Sequence, residues 1–140
     1  MANIIKILLL LFLAILFSCE EQGLFVKCSE CTNEEPLNIL LDVKIDRNQF
    51  GAKTLINVYE GDLEDNVLYG SYTAAGSNTT IGVKINKKYT LTATYYVPDD
   101  NYVVVDSATP KVRYNKDQCD DPCYFVYDKV IDLRLKGNRQ

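Results

Sequence analysis

The stretch Tyr89-Thr-Leu-Thr-Ala-Thr-Tyr-Tyr-Val97 decides the fold class. Apolar residues occupy every second position, and threonines stand between most of them. A period of two is typical of a β-strand that buries one face, and Pro98 with two aspartates behind it ends the run. The stretch therefore predicts a long strand with one side in a core.

The same alternation recurs near both ends of the chain. Ile39, Leu41, Val43 and Ile45 alternate with Leu40, Asp42, Lys44 and Asp46. Ile131, Leu133 and Leu135 likewise alternate with charged residues. Further short apolar runs predict strands at 54–59, 67–72, 80–85, 102–105, 111–114, 123–127 and 130–136. Since no window has a helical period, we predict an all-β fold, an antiparallel β-sandwich of seven to nine strands over residues 38–136.

Length and composition limit the function classes. The chain has 140 residues, of which 47% are hydrophobic and 24% charged, so one packed domain is expected. The net charge of −4 offers no general attraction to nucleic acid. No histidine is present, which excludes Ser-His and Cys-His catalysis and histidine metal ligation. No other catalytic motif is found, and we expect a protein that is not an enzyme and has no metal or dissociable cofactor.

The first 18 residues predict a signal peptide. Lys6 precedes an uncharged run of eleven residues, Ile7–Phe17. As a helix this run covers about half of a bilayer's hydrocarbon core, so it is too short for a membrane span.

The end of this leader resembles a bacterial lipobox. Leu16-Phe17-Ser18-Cys19 follows the Leu-x-small-Cys pattern, and Glu20-Glu21 resembles the acidic tract of surface lipoproteins of Bacteroidota. The resemblance implies a diacylglycerol on Cys19, cleavage before it and attachment to the bacterial envelope, at the outer membrane and facing the surface. We therefore expect a lipidated tether at residues 19–37, the sandwich at 38–136 and a short tail at 137–140.

The remaining four cysteines are expected to form disulfides. They are arranged as Cys28-Ser-Glu-Cys31 and Cys119-Asp-Asp-Pro-Cys123. Three pairings are possible. Bridges between the two motifs would each close about 90 residues and restrain the unfolded chain most, which favours them, while local pairing stays open. A redox CxxC and a Cys₄ zinc site are the alternatives.

A second resemblance covers the stretch from Leu55 to Val97. Ile56-Asn57-Val58-Tyr59 before a polar turn, the strand 81–85 and the run Asn86–Ala93 resemble transthyretin-like (prealbumin-like) and carboxypeptidase regulatory-like modules. The resemblance implies an immunoglobulin- or prealbumin-like sandwich. In such sandwiches a tyrosine two residues before a core position can form a tyrosine corner, for which Tyr89 with Leu91 is the candidate.

Ten tyrosines are the main clue to binding. Tyr95, Tyr96 and Tyr102 are the candidate binding residues if neighbouring strands turn them outward. We expect a non-catalytic, lipid-anchored envelope module that is structural, adhesive or an accessory subunit of a surface assembly. The alternatives are a lipoprotein that binds a small ligand or glycan through a tyrosine face, and an envelope thiol or zinc protein. The expected partners are the membrane, through the lipid, and a protein or glycan of the envelope.

Overall fold

The computed structural model describes residues 26–47, 53–97 and 100–135. The predicted signal peptide, Cys19 and the tail at 137–140 lie outside the described residues. No helix within the described ranges is long and apolar enough to cross a bilayer.

Nine strands make up most of the described chain. They are β1 (Asn38–Lys44), β2 (Thr54–Glu60), β3 (Leu68–Ala74), β4 (Asn78–Lys84), β5 (Tyr89–Val97), β6 (Asp100–Ala108), β7 (Lys111–Asn115), β8 (Cys123–Tyr127) and β9 (Val130–Asp132). The 3₁₀ turn Cys28–Glu30 precedes β1, and the 3₁₀ turn Leu63–Asp65 lies between β2 and β3. The predicted all-β class is confirmed.

The strands form two facing sheets and a hairpin. One sheet has the order β4-β1-β9, the other has the order β3-β2-β5-β6, and β7 pairs with β8. The inward residues of both sheets share one core, to which β5 contributes most. The fully buried members of that core with the largest side chains are Tyr89, Tyr95, Leu41, Ile45, Ile56, Ile81, Leu91, Ile131, Leu133, Val43, Val58 and Val83. The two sheets therefore form a β-sandwich, as the alternation predicts.

One strand pair departs from the antiparallel expectation. β9 lies parallel to β1, with Val43 opposite Ile131. A parallel pair needs a long connection rather than a hairpin, and here the whole of β2 to β8 lies between the two strands. β9 pairs with the side of β1 that β4 leaves free, and it does so only after the chain has completed the other sheet.

The last strand is shorter than predicted. β9 ends at Asp132, not at residue 136, because its neighbour β1 ends at Lys44. The chain still follows β1: the Leu133 N–H donates to the Lys44 carbonyl at 2.8 Å, and the Leu135 N–H donates to the Asp46 carboxylate at 2.7 Å. A side chain thus replaces the backbone partner that the strand has lost.

Tyr89 forms the predicted tyrosine corner. It stands at the start of β5, is fully buried, and its hydroxyl accepts the Lys84 N–H at 3.2 Å across the β4–β5 turn. Its ring also meets Tyr69 edge-on, with centroids 5.4 Å apart. The hydroxyl fixes the turn by which the chain passes from one sheet to the other.

Tyr95 joins the sheets at the opposite end of β5. Its hydroxyl donates to the Leu133 carbonyl at 2.8 Å and accepts the Asp46 N–H at 3.0 Å. The side chain is 1% exposed, so burial raises the pKa of its phenol, while the Asp46 N–H lowers it in part. The Tyr95 hydroxyl therefore links β5 to two segments of the facing sheet: the residues that follow β1, at Asp46, and the residues that follow β9, at Leu133.

Tyr95→Phe should lower the free energy of unfolding by about 2–4 kcal/mol, because it leaves a buried carbonyl and an N–H without their partner. Tyr96→Phe is the matched control, since Tyr96 is 48% exposed and should change stability by less than about 0.5 kcal/mol. Denaturant unfolding of both variants measures the difference. Equal losses would contradict the cross-sheet role of the Tyr95 hydroxyl.

Alkaline pH should destabilise the protein through the same group. The pKa of Tyr95 is higher in the folded chain than in the unfolded one, whose tyrosines titrate near their ordinary value of about 10. Its contribution is therefore complete below that value and is lost as the pH rises through the folded pKa. Unfolding measured between neutral and strongly alkaline pH should show this loss, and Tyr95→Phe should make it smaller; an unchanged pH dependence in that variant would contradict the assignment.

Candidate functional site

All four predicted bridge cysteines are paired, and the pairing is long-range. Cys28 joins Cys119 and Cys31 joins Cys123, with Cα–Cα distances of 5.6 Å in both bridges. Each bridge connects residues more than 90 positions apart. Of the three pairings that the sequence leaves open, the structure has one of the two that cross-link the motifs.

Local backbone contacts place the bridges. Cys28 begins a 3₁₀ turn, and Cys123 begins β8 opposite Asn115 of β7. Thr32, directly after the first cysteine motif, and Tyr124, directly after the second, exchange two backbone hydrogen bonds of 2.9 and 2.7 Å. Residues 26–32 of the predicted tether are therefore fastened to the β7–β8 hairpin.

The two bridges lie next to each other. The Sγ atoms of Cys31, Cys119 and Cys123 are all within 4.8 Å of one another, although they belong to different bridges. Cys28 is exposed, whereas Cys123 is only 4% exposed. Sulfur atoms joined in a disulfide are not thiolates, and the thiolate is the form that binds zinc.

An ion-pair network lies beside this sulfur cluster. Glu30 accepts the ammonium of Lys129 at 2.7 Å and that of Lys27 at 3.3 Å. These hydrogen bonds, that of Lys129 first, hold the pKa of the Glu30 carboxyl below its usual value. The network connects the 3₁₀ turn to the β8–β9 connection. Because the side chains of Lys27, Glu30 and Lys129 are 77%, 44% and 28% exposed, water screens these ion pairs and they add little stability.

The three candidate binding tyrosines do not form one face. Tyr95 is buried, so its assignment to an outward binding face is corrected: the alternation of β5 turns it into the core. Tyr96 and Tyr102 are 48% and 49% exposed. In the register of β5 and β6, Tyr102 pairs with Tyr95, and Tyr96 with Asn101. Tyr96 and Tyr102 therefore point to opposite faces of the sheet and make no joint platform.

An exposed apolar edge, which the sequence analysis did not single out, lies on β6. This strand is the last in the order β3-β2-β5-β6, and no described strand pairs with it on the side away from β5. Its uncharged segment Asn101-Tyr-Val-Val-Val105 lies between Asp100 and Asp106. Tyr102, Val103 and Val105 are 49%, 59% and 48% exposed. We call residues 101–105 the β6 edge.

The sequence signal for the β6 edge is its run of three valines. A half-buried strand alternates, whereas a run of apolar residues is typical of a strand covered on both faces. Here the inward Val104 packs against the core while Val103 and Val105 lie on the outer face. The run was therefore visible in the sequence, but only the sheet order places it on a strand that has no described partner strand on the side away from β5.

Comparisons with family models, with curated proteins and with solved structures found no match to this chain. The transthyretin-like resemblance of residues 55–97 and the lipobox resemblance at Cys19 stay predictions from the sequence.

Proposed function

We propose that the chain is a lipid-anchored, non-catalytic module of a bacterial cell envelope that docks onto a protein partner. In this proposal residues 1–18 are removed and Cys19 carries the acyl chains. The disulfides support it, because they account for four of the five cysteines and leave Cys19 as the fifth. Disulfides are also typical of exported proteins.

The β6 edge is the observation that carries the docking role. An edge strand offers unpaired backbone N–H and carbonyl groups, and proteins normally protect such an edge with charges, prolines or a covering segment. The β6 edge has no charge or proline over five residues and three of its side chains are half exposed. It is therefore suited to an extended segment of a partner protein that adds a strand to the sheet.

Glycan binding through a tyrosine face is less well supported. Such a platform stacks its ligand on neighbouring aromatic rings, and the sheet separates Tyr96 from Tyr102 while Tyr95 is buried. The protein partner is thus the proposal, and the accessory role in a surface assembly follows from it.

Val105→Lys should lower the yield of the partner by about tenfold in cross-linking captures from intact cells, since an edge lysine opposes strand pairing. Val130→Lys is the matched control, because Val130 is also a strand valine and is also 48% exposed, but lies on β9. The captures are compared by mass spectrometry at equal amounts of bait.

We expect the captures made with the original chain and with Val130→Lys to contain the partner, and the capture made with Val105→Lys to be depleted of it. Equal depletion in both variants would contradict docking at the β6 edge, and so would equal recovery. Circular dichroism of the two purified variants verifies that both keep the β-sheet signal.

A further inference from the structure

The sulfur cluster holds one cysteine next to a bridge to which it does not belong. Cys119 is bonded to Cys28, yet its Sγ lies within 4.8 Å of both sulfurs of the Cys31–Cys123 bridge. Disulfides exchange when a thiolate attacks one of their sulfurs. If Cys119 were released from Cys28, a small rotation would bring its thiolate into contact with Cys123.

The two cysteines of the N-terminal motif are also placed for a local bridge. Cys28 and Cys31 share one 3₁₀ turn, in which the Cys31 N–H donates to the Cys28 carbonyl at 3.3 Å. Side chains three residues apart are eclipsed in a 3₁₀ turn, and the rise of about 2 Å per residue sets their Cα atoms about 6 Å apart. That separation lies within the range that disulfides span.

Access to the cluster is uneven. Cys28 is exposed on its turn, Cys31 and Cys119 are partly exposed, and Cys123 is only 4% exposed at the start of β8. A thiol from solution therefore meets the Cys28–Cys119 bridge first, at Cys28.

We propose that the four cysteines form a thiol-catalysed disulfide switch between the long-range bridges and two local ones. A small thiolate attacks Cys28 Sγ, forms a mixed disulfide with it and releases the Cys119 thiolate. Cys119 attacks Cys123 Sγ, so that the Cys119–Cys123 bond forms and the Cys31 thiolate is released. Cys31 then attacks the mixed disulfide at Cys28 Sγ, forms the Cys28–Cys31 bond and expels the small thiolate. Two disulfides exist before and after, and the thiol is regenerated.

The switch would set the length of the tether, an effect that depends on the proposed lipid at Cys19. With the long-range bridges, the first covalently fixed position is Cys28, nine positions after Cys19, which is at most about 30 Å of extended chain. With local bridges the covalent link to the β7–β8 hairpin is gone. Once the two Thr32–Tyr124 backbone hydrogen bonds also open, the first fixed position is the start of β1 at Asn38, at most about 65 Å along the chain from Cys19. The two states would hold the β6 edge at different distances from the membrane.

The first test maps the bridges of the full chain in detergent, carrying Cys19→Ser so that no fifth sulfur takes part. The folded chain is incubated with a substoichiometric amount of cysteamine, quenched with acid and digested without reduction. We expect peptides linked through Cys28–Cys31 and through Cys119–Cys123 to appear together, with no net gain of free thiols. Because this chain carries no lipid, the result does not depend on the proposed lipid anchoring. A failure of the disulfide switch can therefore be told apart from a failure of the lipid anchoring.

Two single variants test the geometry. Cys28→Ala and Cys119→Ala remove the same bridge but leave different free thiols. Cys28→Ala leaves Cys119 beside the remaining bridge, and we expect spontaneous formation of the Cys119–Cys123 bond without added thiol. Cys119→Ala leaves Cys28, which is not among the three clustered sulfurs, and rearrangement should be about tenfold slower.

Three outcomes would overturn the proposal. The first is full reduction without any Cys119–Cys123 peptide, and the second is rearrangement only after denaturant unfolds the chain. The third is equal rates in the two variants. Their denaturant midpoints are measured alongside, so that a difference in rate is not taken from a difference in folding.

Discussion

Removal of either disulfide alone should cost about 2.4 kcal/mol of unfolding free energy, and removal of both should cost about 7 kcal/mol. The single-bridge variants are Cys28→Ser with Cys119→Ser, and Cys31→Ser with Cys123→Ser. The double loss exceeds the sum of the single losses because the two bridges close nearly the same loop.

The nested loops explain the size of each effect. Either bridge alone closes a loop of 91 or 92 residues, which reduces the entropy of the unfolded chain by the equivalent of about 4.6 kcal/mol. Once one bridge is present, the other closes only the short ring between the motifs, because Cys28 and Cys31 are three positions apart and Cys119 and Cys123 four. A ring of about seven residues contributes about 2.4 kcal/mol.

Denaturant unfolding of the four chains, without reductant, measures these values. The chain without bridges should also show the largest denaturant dependence, since its unfolded state exposes the most surface. Single losses near 4.6 kcal/mol that add up in the double variant would contradict the nested-loop explanation. A double loss no larger than a single loss would contradict it as well.

The strand pattern was the part of the structure that the sequence predicted best. The alternation in 89–97 predicts β5 at its observed bounds. One face of such a strand packs in the core and the other faces a different environment, so apolar and polar side chains alternate along it. The pairing of strands is less visible, and the parallel contact of β9 with β1 depends on which sheet edge is free when the chain returns. The early end of β9 likewise depends on where a distant neighbour stops.

The site was predicted only in part, for two different reasons. The four bridge cysteines follow from parity once Cys19 is set aside, but their connectivity depends on the approach of the 3₁₀ turn to the β7–β8 hairpin, which no local pattern encodes. The tyrosine face was wrong for a reason already present in the sequence. Tyr95 and Tyr96 are neighbours on a strand, so they cannot share a face.

Cys19→Ser should abolish acylation and leave the 18 leading residues on the chain. In the proposed lipidation the Cys19 sulfur receives the diacylglycerol, and serine has no sulfur to take its place. Cells grown with a clickable palmitate analogue should label the original chain and not the variant. Cys28→Ser is the matched control, since it is the same replacement nine residues later, outside the lipobox, and it should keep the label. Loss of the label in both variants, or in neither, would contradict lipidation at Cys19.

The lipid should also be the whole of the membrane attachment. Without residues 1–18, which contain Lys6 and no acidic residue, the chain has 14 basic and 19 acidic residues, a net charge of −5. Such a chain is repelled by an anionic bilayer surface, whereas two or more acyl chains hold it stably. A variant with Cys19→Ser behind a signal peptide that is cleaved without lipidation should therefore move from the membrane to the soluble fraction, with at least about a tenfold fall in its bound share. An unmodified chain that stays with the membrane would show that a protein contact, such as one at the β6 edge, supplies the attachment instead, and lipid anchoring would then be wrong.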